Sequence, residues 1–160
     1  MIELWNWRIE GRVAATEIRP ALADALGVPV LPLGAIDPAD LPQGAVLADV
    51  WHGPGDFPTA VDCYAVPAGM AEVVVVAAFA RRLRRACLLP DDTLDPGRRL
   101  LVTPDGTIRP VHVDVRDTDD GEILSNQRLC TVLSPRCRGW SPCHQSRWVP
   151  DSVLPALAAA

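Results

Sequence analysis

The chain contains no lysine: all 15 of its cations are arginine. Together with abundant Ala, Pro, Val and Asp, that matches the coding bias of a GC-rich genome and carries no functional information. The net charge is −5, which excludes a general binder of nucleic-acid backbones, since these need clustered cations. Long apolar runs are missing too. The longest, Val73 to Ala80, is far below the roughly 20 residues that a spanning helix requires. The opening MIELWNWRIEG carries early charge and no apolar stretch closing on small residues, unlike a signal peptide. The expected setting is therefore the cytoplasm, with no membrane association.

Several catalytic signatures are also lacking. No G-x-G-x-x-G or G-x-x-x-x-G-K loop is present to cradle phosphates, and no G-x-S-x-G holds a nucleophilic serine. The acidic stretch RDTDDGE departs from a calcium loop, because the fifth position counted from Asp117 is already Gly121. A solvated turn accounts for it.

What is there is enough apolar sequence for a core: 160 residues, 49% of them hydrophobic, with few features of disorder. IELWNWRI alternates as a strand, with Ile2, Leu4 and Asn6 on one side and Trp5 and Trp7 on the other. A helix is predicted from about Ala14 to Leu26, with Ile18, Leu22 and Leu26 on one face and Gly27 as its stop. Pro20 within it warns of a kink. VPVLPLG reads as a short extended piece, then AVLADVW and TAVDCYAV as two strands joined by the loop HGPGDFP. AGMAEVVVVAAFARRLRRA is the clearest helix, its four arginines complementing the dipole of its last turns. CLLP, the hairpin RLLVTPDGTIRPVHVDV and RLCTVLS complete the strands. Antiparallel neighbours joined by short turns argue for α+β: a mostly antiparallel sheet with two main helices packed on one face. The whole of 1–160 reads as one domain, with 134–160 as a proline-punctuated tail.

Five cysteines, an odd number without a secretory signal, point to reduced thiols. Three of them, Cys130, Cys137 and Cys143, lie close to His144. Structural zinc usually takes two short-spaced pairs, whereas the gaps here are x6 and x5 and His144 directly follows Cys143. Consecutive residues ligate one ion only with an awkward backbone, and in a strand they diverge, which also argues against a Cys/His nucleophile and base. The spacing therefore predicts a structural tail with no metal and no cofactor. Residues 128–148 carry four arginines and no acid, a local +4 on an otherwise acidic chain. That tail is expected to fold back, anchored by Trp140 and Trp148, with its arginines meeting acids.

The remaining candidates are acids read as displayed on loops, with aromatics beside them: Asp49, Trp51, Asp56, Asp62, Asp91, Asp92, Asp117, Asp119, Asp120 and Glu122. Aromatics edged by charge are favoured at protein-binding centres, and an acidic surface suits a basic partner.

GDFPTAVDCYAV, followed by a helix and then CLLPDDTLDPGRRLLVTPDGTIRPVHVD, resembles small bacterial immunity proteins of polymorphic toxin systems over roughly residues 45–125. The resemblance implies a cytoplasmic α+β protein, with no catalytic residue, that binds a cognate toxin domain and blocks its active site. Many such toxins attack nucleic acid. The tail has no counterpart in that pattern. The expectation is thus an immunity protein, not an enzyme, that contacts a toxin but not nucleic acid. The alternatives are a small zinc- or thiol-dependent enzyme centred on the C-terminal cysteines and His144, or a scaffold subunit.

Overall fold

The computed structural model describes residues 2–34 and 37–155. Residues 156–160 of the expected tail, and the side chain of Ile2, lie outside the described residues. The first strand, β1 (Ile2–Ile9), leads into helix α1 (Ala15–Leu26), then β2 (Val30–Pro32), β3 (Val46–His52) and β4 (Thr59–Pro67). Helix α2 (Glu72–Leu83) follows, and then β5 (Cys87–Pro90), β6 (Arg98–Val102), β7 (Thr107–Thr118) and β8 (Gly121–Leu129). The chain closes with two one-turn helices, α3 (Pro135–Gly139) and α4 (Ser141–Gln145), and the short β9 (Leu154–Pro155). The class is α+β.

The strands form one sheet in the order β2-β3-β4-β1-β5-β6-β7-β8, with β9 added to β7. Among the described residues only β2 and β3 pair in parallel; the other ladders are antiparallel. β1 sits near the middle because it pairs with both β4 and β5. Its alternation is therefore pronounced: Trp5, Trp7 and Ile9 are buried, whereas Leu4 is exposed.

The larger apolar cluster joins Trp5, Trp7 and Ile9 to Ile18 and Leu22 of α1 and to Val76, Phe79 and Ala80 of α2. Trp7 and Phe79 meet edge to face, 5.4 Å between centroids. Pro20 leaves α1 continuous; its missing N–H removes a single intrahelical bond. Gly27 ends the helix at φ 73°, the left-handed conformation that glycine adopts without penalty. α2 ends instead on Arg84 at φ 56°.

A smaller cluster, with Leu88, Leu101, Val111, Val113 and Leu124, is plugged by Phe57 from the β3–β4 loop. That loop reaches β8, which is not a sheet neighbour of β3 or β4. Asp56 N–H donates to the Leu124 carbonyl (2.9 Å) and Asn126 N–H donates to the Asp56 carboxylate (3.1 Å). Gly55, at φ +100°, makes the approach possible, because a Cβ there would stand 2.7 Å from the Leu124 carbonyl. Among the described residues no helix is long and apolar enough to cross a membrane.

Candidate functional site

Two places in this fold concentrate chemistry. The first is a groove of about 890 Å³ between the β3–β4 end of the sheet and the β7–β8 hairpin. Trp51 from β3, Asp62 from β4, Arg8 from β1, Arg99 from β6, and Asp120 and Glu122 from the hairpin line it. Trp51 is half exposed, and its indole N–H donates to the Asp62 carboxylate at 3.1 Å. Burial pushes the Asp62 carboxyl up; the Trp51 hydrogen bond opposes this and neighbouring Asp49 adds to it. Burial likewise lowers the Arg8 guanidinium, against the pull of Glu122. Arg99 pairs with Glu122 at 3.4 Å.

Four of the ten expected binding residues, Trp51, Asp62, Asp120 and Glu122, therefore meet around one concavity. The others do not. Asp49 pairs with Asp62 across β3 and β4, so both lie on strands and not on loops. Asp117 and Asp119 are exposed on the β7–β8 hairpin outside the groove. Asp56 ties the β3–β4 loop to β8. Asp91 accepts from the Arg98 guanidinium at 2.8 Å and from Thr93. Asp92 accepts from the Ser146 hydroxyl at 2.5 Å and the Arg147 amide at 2.8 Å. The carboxylates of Asp56, Asp91 and Asp92 hold the fold together.

The second place is built where the hairpin meets the tail. Antiparallel pairing sets Arg98, His112 and Arg128 in one row across β6, β7 and β8. Directly paired residues share a face and i, i+2 residues follow them, so Cys130 stands beside His112 just past the end of β8. A register shift in the β7–β8 ladder falls between His112 and Asp114, the kind of irregularity that re-aims a side chain. The one-turn helices then deliver Cys137 from α3 and Cys143 from α4.

The four donor atoms lie within 4.8 Å of one another, and all four residues are buried. His112 Nε2 is 3.3 Å from Cys137 Sγ and 3.6 Å from Cys143 Sγ, and the Cys130 and Cys143 sulfurs are 3.7 Å apart. All five cysteines are free thiols. Burial pushes the Cys130 thiol up to about 12. Burial also acts upward on Cys137, but hydrogen bonds from the Thr131 backbone, Ser134 and the neighbouring thiols leave it below its ordinary value. Burial and the nearby Arg98 charge lower His112, favouring the neutral imidazole that coordinates metals. Such a donor set can hold a metal ion.

No family model matches this chain, and no match was found among curated proteins or solved structures.

His144, the histidine that the sequence placed with the cysteines, is outside the cluster. It is exposed, and its Nε2–H donates to the Arg138 carbonyl at 2.8 Å. The spacing of the C-terminal segment shows only three donors and His144; the fold adds His112 from β7 beside the three thiols. His52 is unrelated, donating to the Val13 carbonyl at 2.6 Å. Of the two expected tail anchors, Trp148 is buried in the main core, while Trp140 is 38% exposed with its ring tilted against His112 at 5.4 Å. Of the tail arginines, Arg128 pairs with Asp114 at 3.0 Å.

Proposed function

We propose that this chain is a non-catalytic binding protein of the immunity type, which docks a cognate toxin domain on the groove around Trp51 and blocks it. The observation carrying this reading is the gathering of Trp51, Asp62, Asp120 and Glu122, from three separate parts of the chain, around one open concavity. An exposed tryptophan bordered by carboxylates is the composition of an interface centre with a charged rim. Carboxylates there would stand in for the phosphates that the Arg and Lys of a nucleic-acid-cleaving toxin ordinarily contact. A specific interface of this kind buries on the order of 1,600 Å² in total.

The reading carries with it a cytoplasmic setting and an arrangement in which both long helices cover one face of the sheet. The shared apolar cluster of α1 and α2 supports that arrangement.

The test is a titration of the purified chain against the toxin domain encoded beside it. Trp51→Ala is expected to weaken binding by about 2 kcal/mol, roughly thirtyfold, with no change in the melting temperature. Affinity within twofold of wild type would remove the groove from the reading.

A further inference from the structure

We propose that His112, Cys130, Cys137 and Cys143 bind one zinc ion, and that this ion fastens the C-terminal segment to the sheet. Zinc held tetrahedrally by sulfur at about 2.3 Å and nitrogen at about 2.0 Å sets two sulfurs about 3.8 Å apart and sulfur and nitrogen about 3.5 Å apart. Three of the six separations here are 3.7 Å between Cys130 and Cys143, and 3.3 and 3.6 Å from His112 to Cys137 and Cys143; the other three lie within 4.8 Å, so that closing on an ion draws the donors in by up to about 1 Å. These spacings suit no disulfide, whose sulfurs must stand about 2.05 Å apart. They are the spacings of ligands around a shared centre.

The other two cysteines show what ordinary core thiols look like in this protein. Cys63 and Cys87 are fully buried and embedded among the aliphatic and aromatic residues of the main core. Cys130, Cys137 and Cys143 instead form a cluster of their own that contains no aliphatic member, with an imidazole nitrogen facing two of the sulfurs. Bringing three thiols and an imidazole together out of water satisfies little hydrogen bonding. It is well accounted for by a cation that the thiolates and the neutral imidazole surround, with the thiol protons released to solvent.

Arg98 supplies a second, independent observation. It has no solvent exposure, yet its guanidinium donates to Cys130 Sγ at 3.5 Å as well as to Asp91 and to the Trp148 carbonyl. Zn²⁺ with three thiolates and a neutral imidazole carries one net negative charge. A buried guanidinium, held in place by Asp91, donates to one of the sulfurs and so stabilises the thiolate form, as supporting residues around metal ligands commonly do.

Four protein donors complete the tetrahedron and leave no open position for water or substrate, so the ion is structural and not catalytic. Its structural task is plain. α3 and α4 have five residues each, too few to persist as isolated helices. Each contributes one ligand, and the segment they lead into places Trp148 in the core and β9 beside β7.

The experiment is metal analysis of the full chain reconstituted with zinc under reducing conditions and then desalted, with cobalt exchange as an optical readout. One zinc per chain is expected, and cobalt should give the thiolate charge-transfer bands of a tetrahedral site. His112→Ala should weaken zinc binding by more than the roughly 10–100-fold typical of losing a supporting residue. His144→Ala should leave it unchanged. Because His112→Ala can also loosen the fold, His112→Cys serves beside it: it should retain one zinc and shift the cobalt bands toward those of four thiolates. A reconstituted chain without zinc, a different metal at unit stoichiometry, a Cys130–Cys143 disulfide persisting under reduction, or loss of zinc from His144→Ala but not His112→Ala would each overturn the assignment.

Discussion

Arg98 is a full positive charge with no exposed surface, and its neighbours explain why it is tolerated. Asp91, whose side chain is 1% exposed, meets Nη1 at 2.8 Å, and Nη2 donates to Cys130 Sγ and the Trp148 carbonyl, while the buried Nε–H is left without a partner. Although burial works against the charge, these partners raise the guanidinium above its ordinary value. Arg98→Met should therefore cost about 3–5 kcal/mol by leaving Asp91 buried without its partner. The double variant Arg98→Met, Asp91→Asn should recover much of that stability in denaturant titrations. Zinc affinity should stay 10–100-fold lower in both, because only the guanidinium touches a ligand. Recovery of zinc affinity in the double variant would show that Arg98 acts on the fold alone.

Glu72 opens α2, where a carboxylate normally gains from the helix dipole. Burial, aided by Glu3, nevertheless pushes it up to about 7. A carboxyl whose folded value lies above its unfolded value favours the folded state at low pH, and that contribution is lost as pH rises through about 7. Glu72→Gln should thus raise the melting temperature at pH 8 and leave it nearly unchanged at pH 4. Equal melting curves for variant and wild type at pH 8 would show that Glu72 is not strained by its surroundings.

At the scale of elements, the β3–β4 loop and the tail are the parts that bring the two sites into being. Gly55→Ala should destabilise by about 1–3 kcal/mol, since the new Cβ meets the Leu124 carbonyl in a left-handed backbone. It should also weaken any binding that uses the groove, because Gly53, Pro54 and Pro58 of the same loop line the groove wall beside Trp51. Trp148→Ala removes a core side chain and should cost about 3–5 kcal/mol, measured by urea unfolding. A cost below 1 kcal/mol would mean that the tail packs on the core only loosely.

Most regular elements were legible because they carry their own periodicity: alternation in IELWNWRI, and the apolar run and terminal arginines of α2; the last strand was not, since β8 is Gly121–Leu129 and the expected strand RLCTVLS is turn beyond Leu129. The sheet order was not, since pairing β1 with β5 across the whole α1–α2 region is a tertiary choice that no local pattern records. α3 and α4 were hidden for another reason, as single turns with proline at their start and no apolar stripe read as loop. The metal ligands were half visible. The three cysteines drew attention by proximity, but His112 is 18 residues upstream of Cys130, between two valines of a strand. The signal that could have found it is hairpin arithmetic. Folding the chain at the acidic turn RDTDDGE brings His112 to Gln127, the one-residue register shift in the β7–β8 ladder moves it on to Arg128, and Cys130 follows two residues later. The binding residues divide similarly, for exposure of an acid can be guessed from sequence while its internal partner cannot. Asp91 and Asp92 looked like surface acids until Arg98 and Ser146 were found against them.

For the whole molecule, charge separates the two regions. Of the cations of 128–148, Arg128 and Arg136 lie near His112 of the zinc site, and Asp62, Asp120 and Glu122 line the groove. Asp117, Asp119 and Asp120 are all exposed, so their joint replacement by Ala should slow association with a basic partner several-fold at low salt and little at high salt. An unchanged association rate at low salt would exclude that acidic hairpin from steering. Zinc ties this surface to the fold, because His112 lies on the same strand that leads into the hairpin. Chelation should lower the melting temperature and make the tail the first segment to exchange its amide hydrogens. X-ray absorption at the zinc edge of the reconstituted protein tests the central claim most directly. The account predicts a shell of three sulfurs at about 2.3 Å and one nitrogen at about 2.0 Å; a shell of nitrogen and oxygen alone, or of four sulfurs, would contradict it.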